Sequence, residues 1–121
     1  MAVTGLDHVN IATAKLEETR AFYRDVLGLT EGYRPGFTAP GYWLYAGGRP
    51  IIHLQGAPEG EGDGGAVRHF ALNVASLPDA AARLDAAGVG YRLTQTPDGV
   101  FDQAFFRDPS RAWVELISRR R

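Results

Sequence analysis

The sequence predicts an α+β fold made of two βαβββ modules. Three observations carry this: short runs that alternate apolar and polar residues, two helical stripes that each end at a glycine, and a return of the whole pattern after about 60 residues. Leu6 to Ala12 alternates as a strand does. Lys15 to Leu27 then sets Leu16, Tyr23, Val26 and Leu27 on one helical face, with Thr13 as cap and Gly28 as stop. Strands are expected at Leu29 to Arg34, Tyr42 to Ala46 and Arg49 to Gln55, the last two joined by a tight turn at Gly47 and Gly48. After the glycine-rich stretch Gly56 to Gly65, Val67 to Ala75 alternates again. Ser76 with Asp79 reads as a capping box, Pro78 lies in the first turn, and Leu77, Ala80, Ala81, Leu84 and Ala87 form a stripe ending at Gly88. Val89 to Thr94, Phe101 to Arg107 and Ala112 to Ser118 complete the second module, the last two joined by Asp108-Pro109-Ser110-Arg111. The expectation is one domain over residues 1–121: module one at 5–55, a linker at 56–65 and module two at 66–118.

Composition narrows the function. A chain of 121 residues is long enough to bury roughly two thirds of its unfolded surface and too short for a second independent core. A net charge of -1 offers no long-range field for phosphate, so nucleic acid is not an expected partner, and the basic run Arg119 to Arg121 reads as a solvated tail. With no cysteine there can be no disulfide, thiolate ligand or cysteine nucleophile. The start MAVTGLDHVNI has no basic region followed by an apolar core, and no 18-residue apolar stretch occurs. A cytoplasmic protein without a membrane partner is expected.

Candidate chemistry rests on four side chains. His69 lies 61 positions after His8, and Glu115 lies 62 after His53, so each module carries a potential ligand on its first and on its last strand. In LDHVNI, His8 shares a face with Leu6 and Asn10; in IIHLQ, His53 goes with Ile51 and Gln55. In RHFALNV, His69 goes with Ala71 and Asn73; in WVELI, Glu115 goes with Trp113 and Ile117. All four therefore lie on the sheet face turned away from the helices. Imidazole and carboxylate groups on an enclosed face must be paired or bound to a metal to offset desolvation. Three imidazoles and one carboxylate suit Zn²⁺, Ni²⁺, Co²⁺, Mn²⁺ or Fe²⁺, which the sequence does not separate. Singly, each histidine also reads as surface or hydrogen-bonded core, and Glu115 as a partner of Arg107 or Arg111.

LDHVNIA with FYRDVLGL, RHFALNV and FRDPSRAWVELI resembles the vicinal oxygen chelate superfamily, which includes glyoxalase I, bleomycin resistance proteins, extradiol dioxygenases and fosfomycin resistance proteins. The resemblance covers Gly5 to Ile117 and implies that each module curls into a half-open barrel. It implies one divalent metal per site held by His8, His53, His69 and Glu115, with His53 or Glu115 as the catalytic base. It also implies a homodimer with sites between modules, acting on a small molecule whose two adjacent oxygens are chelated while an enolate is stabilised.

Departures from the family pattern grade the activities. Glyoxalase I has Glu at the position aligned with His53, and holds the glutathione carboxylate with Arg and Asn at the positions of Ala12 and Ala57. This argues against a glutathione-bound substrate and leaves a lyase or isomerase acting on another molecule as the first reading. The second is an Fe(II) extradiol dioxygenase with His8, His69 and Glu115 as facial triad and His53 as acid and base, although Phe105 stands where those enzymes carry tyrosine. Fosfomycin-type resistance lacks its phosphonate-binding Lys and Arg in the second module. Non-catalytic binding of a small aromatic molecule, as in bleomycin-binding relatives, draws on Tyr33, Phe37, Tyr42, Trp43 and Tyr45. The string Gly60 to Gly65 fits G-x-G-x-x-G but precedes a strand, and a calcium loop begun by Glu59, Glu61 and Asp63 would have Phe70 rather than Glu at its twelfth position. No G-x-S-x-G occurs, and Ser76 is explained as a cap.

Overall fold

Alternation marks which side chains share a face, but a strand needs a neighbour to complete its hydrogen bonds. In the computed structural model, which describes residues 1, 4–59 and 66–120, those neighbours occur in two separate sets within two units, Met1–Glu61 and Gly62–Arg121. Residues 60–65 of the linker, with the G-x-G-x-x-G string, lie outside the described residues, as does Arg121 of the tail.

The first unit runs β1 (Val9–Thr13), α1 (Leu16–Ala21), β2 (Thr30–Gly32), β3 (Gly41–Ala46) and β4 (Arg49–Gly56). The second runs β5 (Phe70–Asn73), α2 (Leu77–Ala86), β6 (Arg92–Gln95), β7 (Phe101–Arg107) and β8 (Trp113–Arg119). Both are βαβββ modules, and their sheets have the same order, β1-β4-β3-β2 and β5-β8-β7-β6. In each the first strand pairs parallel with the fourth and the remaining pairs are antiparallel. The sheets stay open, with β1 and β2, or β5 and β6, as edges.

Strand ends differ from expectation where pairing stops. Leu6 and Val67 are exposed, and the first strands begin only at Val9 and Phe70, so His8 and His69 each stand one residue before a strand. The strands expected from Leu29 and Val89 begin later, as Thr30–Gly32 and Arg92–Gln95, because the Leu29 and Val89 N–H groups bond back to the Tyr23 and Leu84 carbonyls of the preceding helical segments. In the first unit the Thr13 hydroxyl accepts from the Lys15 N–H, a turn just ahead of the helix rather than its cap. The helix then widens to a π-helical turn over Phe22–Val26, with the Leu27 N–H donating to the Phe22 carbonyl five residues back, before Gly28 ends it at φ 78°.

In the second unit Ser76 Oγ accepts from the Asp79 N–H at 3.2 Å, as the capping box requires. Gly88, at φ 72°, closes α2 with Gly88 N–H to Asp85 O and Val89 N–H to Leu84 O, a Schellman ending. The helix-facing sides of the strands form the cores: Ile11, Leu44, Ile52 and Leu54 with Phe22 and Tyr23 in one unit, Ala104, Phe106, Val114 and Leu116 with Leu77 and Leu84 in the other. Leu84 is fully buried, so Leu84→Ala should destabilise the protein by about 2–5 kcal/mol, while Ser76→Ala should cost about 1 kcal/mol, both read from urea denaturation.

An exposed polar cluster ties α1 to β3. The Tyr42 hydroxyl donates to Glu17, and the Arg20 guanidinium bonds Glu17 and lies 4.4 Å from the Tyr42 ring centroid. The Tyr42 hydrogen bond, with Arg20 second, holds the Glu17 carboxyl below its usual pKa. A depressed carboxylate stabilises the fold above its unfolded pKa of about 4.3, and that contribution disappears as pH falls through the lower folded value. Tyr42→Phe should therefore lower the melting temperature near neutrality more than at pH 3, as thermal melts across that range would record.

Candidate active site

The parallel ladder in each unit fixes the first pair of donors. Asn10 lies beside His53 across β1 and β4, and His8 precedes Asn10 by two residues on the same face. In the second unit Ala71 lies beside Glu115, and His69 precedes Ala71 by two residues. Each first-strand histidine thus stands at the same offset from the fourth-strand group it meets. The aromatic partners also correspond: Trp43 lies opposite His53 across β3 and β4, and Phe105 lies opposite Glu115 across β7 and β8.

In the first unit three rings form one stack. His8 and His53 have centroids 3.7 Å apart and His53 and Trp43 3.9 Å apart, each pair tilted by 12°. His53 is 7% exposed, and burial first, then the neighbouring His8, pushes its pKa below the usual imidazole value. Its Nε2 lies 3.0 Å from the Pro50 carbonyl. A carbonyl only accepts, so Nε2 carries the proton and Nδ1 keeps the lone pair. His8 Nδ1 faces the Asp7 carboxylate at 2.8 Å, which leaves its Nε2 available to a ligand and holds the Asp7 carboxyl below its usual pKa.

The second unit pairs an acid with a base. Glu115, 5% exposed, has Oε1 at 3.0 Å from His69 Nε2, and its Oε2 accepts from the Gln103 amide at 3.0 Å. Gln103 is itself held by the Thr94 hydroxyl at 2.9 Å. Of the alternative partners read from sequence, Arg107 is engaged elsewhere: it donates to the Arg111 carbonyl and lies over the Trp113 ring. Phe105 meets His69 edge to face at 5.5 Å, so an aromatic ring without a hydroxyl flanks the pair.

An imidazole backed by a carboxylate, and a carboxylate backed by an amide, are donors a divalent ion takes, and both supporting partners are of the kind that orients ligands. The structure brings these donors together two at a time, one pair within each unit. Among the described residues no group of three or more His, Asp or Glu side chains gathers as a metal-holding cluster.

A cleft of about 170 Å³ opens on this face of the first unit, lined by Asn10, Arg34, Phe37, Trp43, His53 and Gln55. A larger groove of about 670 Å³ in the second unit runs between α2 and β6 past Leu77, Pro78, Ala81 and Leu93, and holds none of the four donors. The aromatic set expected around a bound ring divides. Trp43 and Phe37 stand together at the cleft with centroids 6.3 Å apart, and the Tyr45 ring covers Gly32, with its hydroxyl on the Tyr33 carbonyl. Tyr42 points to the helix side to meet Glu17, and Tyr33 is exposed. Strand alternation separates Tyr42 from Trp43, and this accounts for the split. Gln103, Asn10 and Arg34 were not singled out from the sequence. The period-2 pattern of FDQAFF already places Gln103 with Phe105, and pairing with β8 is what sets both beside Glu115.

Comparison with known proteins agrees with the two-module fold. A profile of the Glyoxalase/Bleomycin resistance protein/Dioxygenase superfamily matches residues 5–116. Glyoxylase I 4 of Arabidopsis thaliana is 29% identical over 125 residues, covering 96% of this chain and 71% of that protein. A crystal structure of a putative glyoxalase family protein from Bacillus anthracis superposes with a TM-score of 0.80 at 22% identity, covering 99% of this chain and 98% of that one. The fosfomycin resistance protein FosX from Listeria monocytogenes superposes with a TM-score of 0.77 at 19% identity, covering 98% and 96%. These two likenesses are of fold. The family profile, spanning nearly the whole length, shows that the chain belongs to the Glyoxalase/Bleomycin resistance protein/Dioxygenase superfamily.

Proposed function

We propose that the protein is a metal-dependent lyase or isomerase acting on a small molecule with two adjacent oxygens, with His8, His53, His69 and Glu115 as the ligand set and a homodimer as the working form. One observation carries the reading: a pair of donors recurs in each unit at the same strand register, each pair backed by a polar partner. The bound ion would supply Lewis-acid charge at the two substrate oxygens. The chain's own groups do the rest. Asp7 and Gln103 orient His8 and Glu115. Of the four donors, the two fourth-strand groups are suited to move a proton from the carbon beside those oxygens: His53 through its Nδ1 lone pair, Glu115 through a carboxylate oxygen. Trp43 and Phe37 form a wall that keeps water from one side of the cleft.

The ring-cleaving alternative would use the same groups with Fe(II), and differs in needing oxygen; simple binding would show neither turnover nor a requirement for all four donors. Titration of the chelator-treated protein with Zn²⁺ or Ni²⁺ should saturate at one ion per site. Glu115→Gln and His69→Gln should weaken metal binding by more than the roughly 10- to 100-fold expected for Gln103→Ala, whose side chain only supports Glu115. Absence of stoichiometric binding, or equal binding by Glu115→Gln, overturns the proposal. With metal bound, exchange of a substrate carbon-bound proton into D₂O supports the isomerase or lyase reading, whereas oxygen uptake with catechol and Fe(II) replaces it with the dioxygenase.

A further inference from the structure

Arg34 is the cation of the first unit's cleft, and its setting is unusual for a surface arginine. Its Nη1 donates to the Ala39 carbonyl at 3.0 Å, and its guanidinium carbon lies 4.9 Å from the Phe37 ring centroid. Its Nε is buried without a hydrogen-bond partner, and among the described residues no carboxylate pairs with it. An uncompensated guanidinium beside a buried histidine is unfavourable unless something negative completes it.

The backbone makes room for this group. Extending the β2–β3 register two places beyond Gly32 and Trp43 sets Arg34 opposite Gly41. A Cβ at Gly41 would lie 2.7 Å from Arg34 Nη2 and would clash with the Leu54 carbonyl, so the missing side chain leaves a notch in which the guanidinium lies. In the second unit the same place in the sheet is taken by Gln103, opposite Thr94, and there an amide reaches the acid beside it. Where one unit carries an amide that orients its carboxylate, the other carries an open position and a fixed positive charge. The row also contains Ala12 and Gln55, aligned with each other across β1 and β4, and Gln55 is aligned with Gly41 across β3 and β4.

We propose that Arg34, lodged in the Gly41 notch, is the anion anchor of this cleft and selects a small substrate bearing a carboxylate. A guanidinium fork matches a carboxylate in plane and charge, and the Phe37 ring and Ala39 carbonyl fix its orientation in advance. At about 170 Å³ the first unit's cleft is well below the size of sites for drug-sized ligands, which agrees with a compact acid. The inference rests on reading this face as the substrate site, and it adds the substrate class.

Lactate and its neutral analogue lactamide are titrated into the chelator-treated full chain, with the Trp43 indole N–H and Arg34 Nε–H followed by NMR. Lactate should bind about tenfold more tightly than lactamide, as a charge-assisted pair implies. Arg34→Gln should abolish that preference, and Arg34→Lys, which keeps the charge without the fork, should retain part of it. Equal binding of the two probes, or an unchanged preference in Arg34→Gln, overturns the inference; should that variant fail to fold, a full preference in Arg34→Lys overturns the fork's role. Metal titration separates the two readings. Arg34→Gln should keep its metal stoichiometry, and Glu115→Gln should keep the lactate preference, so loss of one property leaves the other reading standing.

Discussion

The parallel pairing of first and fourth strands is the constraint on which the rest of each unit depends. Side chains alternate with a period of two, so slipping β4 by one residue against β1 would exchange every face at once. Ile52 and Leu54 would turn into the cleft, and His53 would enter the core against Ile11. The apolar burial that stabilises the unit therefore also fixes the donor in place. The same holds in the second unit, where Val114 and Leu116 are fully buried on either side of Glu115. A site built on strands locked in this way can place imidazole and carboxylate groups reproducibly without relying on a loop.

Such placement has an electrostatic consequence that each unit meets differently. Glu115 is almost fully buried, and its two oxygens are answered by His69 and Gln103. His53 is buried beside another imidazole, and desolvation first, then His8, lowers its pKa while the Pro50 carbonyl takes its proton-bearing nitrogen. The Glu115 oxygens are thereby directed at neighbours that a cation could replace, and the His53 Nδ1 keeps its lone pair. Ordinary packing residues at these positions would have avoided the desolvation altogether, so the polar choice in a well-formed apolar sheet is itself informative.

Much of this was legible in the sequence because it follows from local periodicity. Phe101 to Arg107 came out with its observed ends, the Asp108 turn followed, and the Ser76 cap with the Gly88 stop bounded α2. The sharing of one face by His8 and His53, and by His69 and Glu115, was also readable, because alternation alone decides it. Strand ends at Leu6 and Val67 were not, since an exposed residue can alternate without a partner to pair with, and Val89 is taken up by the ending of α2. Nor was the π-helical turn at Phe22–Val26, because its apolar residues fit a 3.6-residue repeat and the altered step shows only in the backbone hydrogen bonds. Gln103 and Arg34 escaped for a third reason. Their role depends on cross-strand register, and Arg34 lies beyond the last paired residue of β2.

The two units can be compared row by row, and the comparison separates what the fold dictates from what it leaves open. In the row holding His53 and Glu115, a large aromatic stands on the neighbouring strand in both units, Trp43 in one and Phe105 in the other. One row further along, agreement ends: Gly41 and Arg34 stand in one unit at the places that Gln103 and Thr94 take in the other. The first row is set by what the donors require, a flat hydrophobic surface against which an imidazole can stack or meet an edge. The second row lies beyond the donors, and on the proposed reading its residues answer to the substrate and are free to differ. Ala12 at the first-strand end of this row is uncharged, and the charge of Arg34 stands at the row's other end, beyond Gln55 and Gly41. On the proposed reading, then, the donors are encoded by strand register and the selectivity by the neighbouring row.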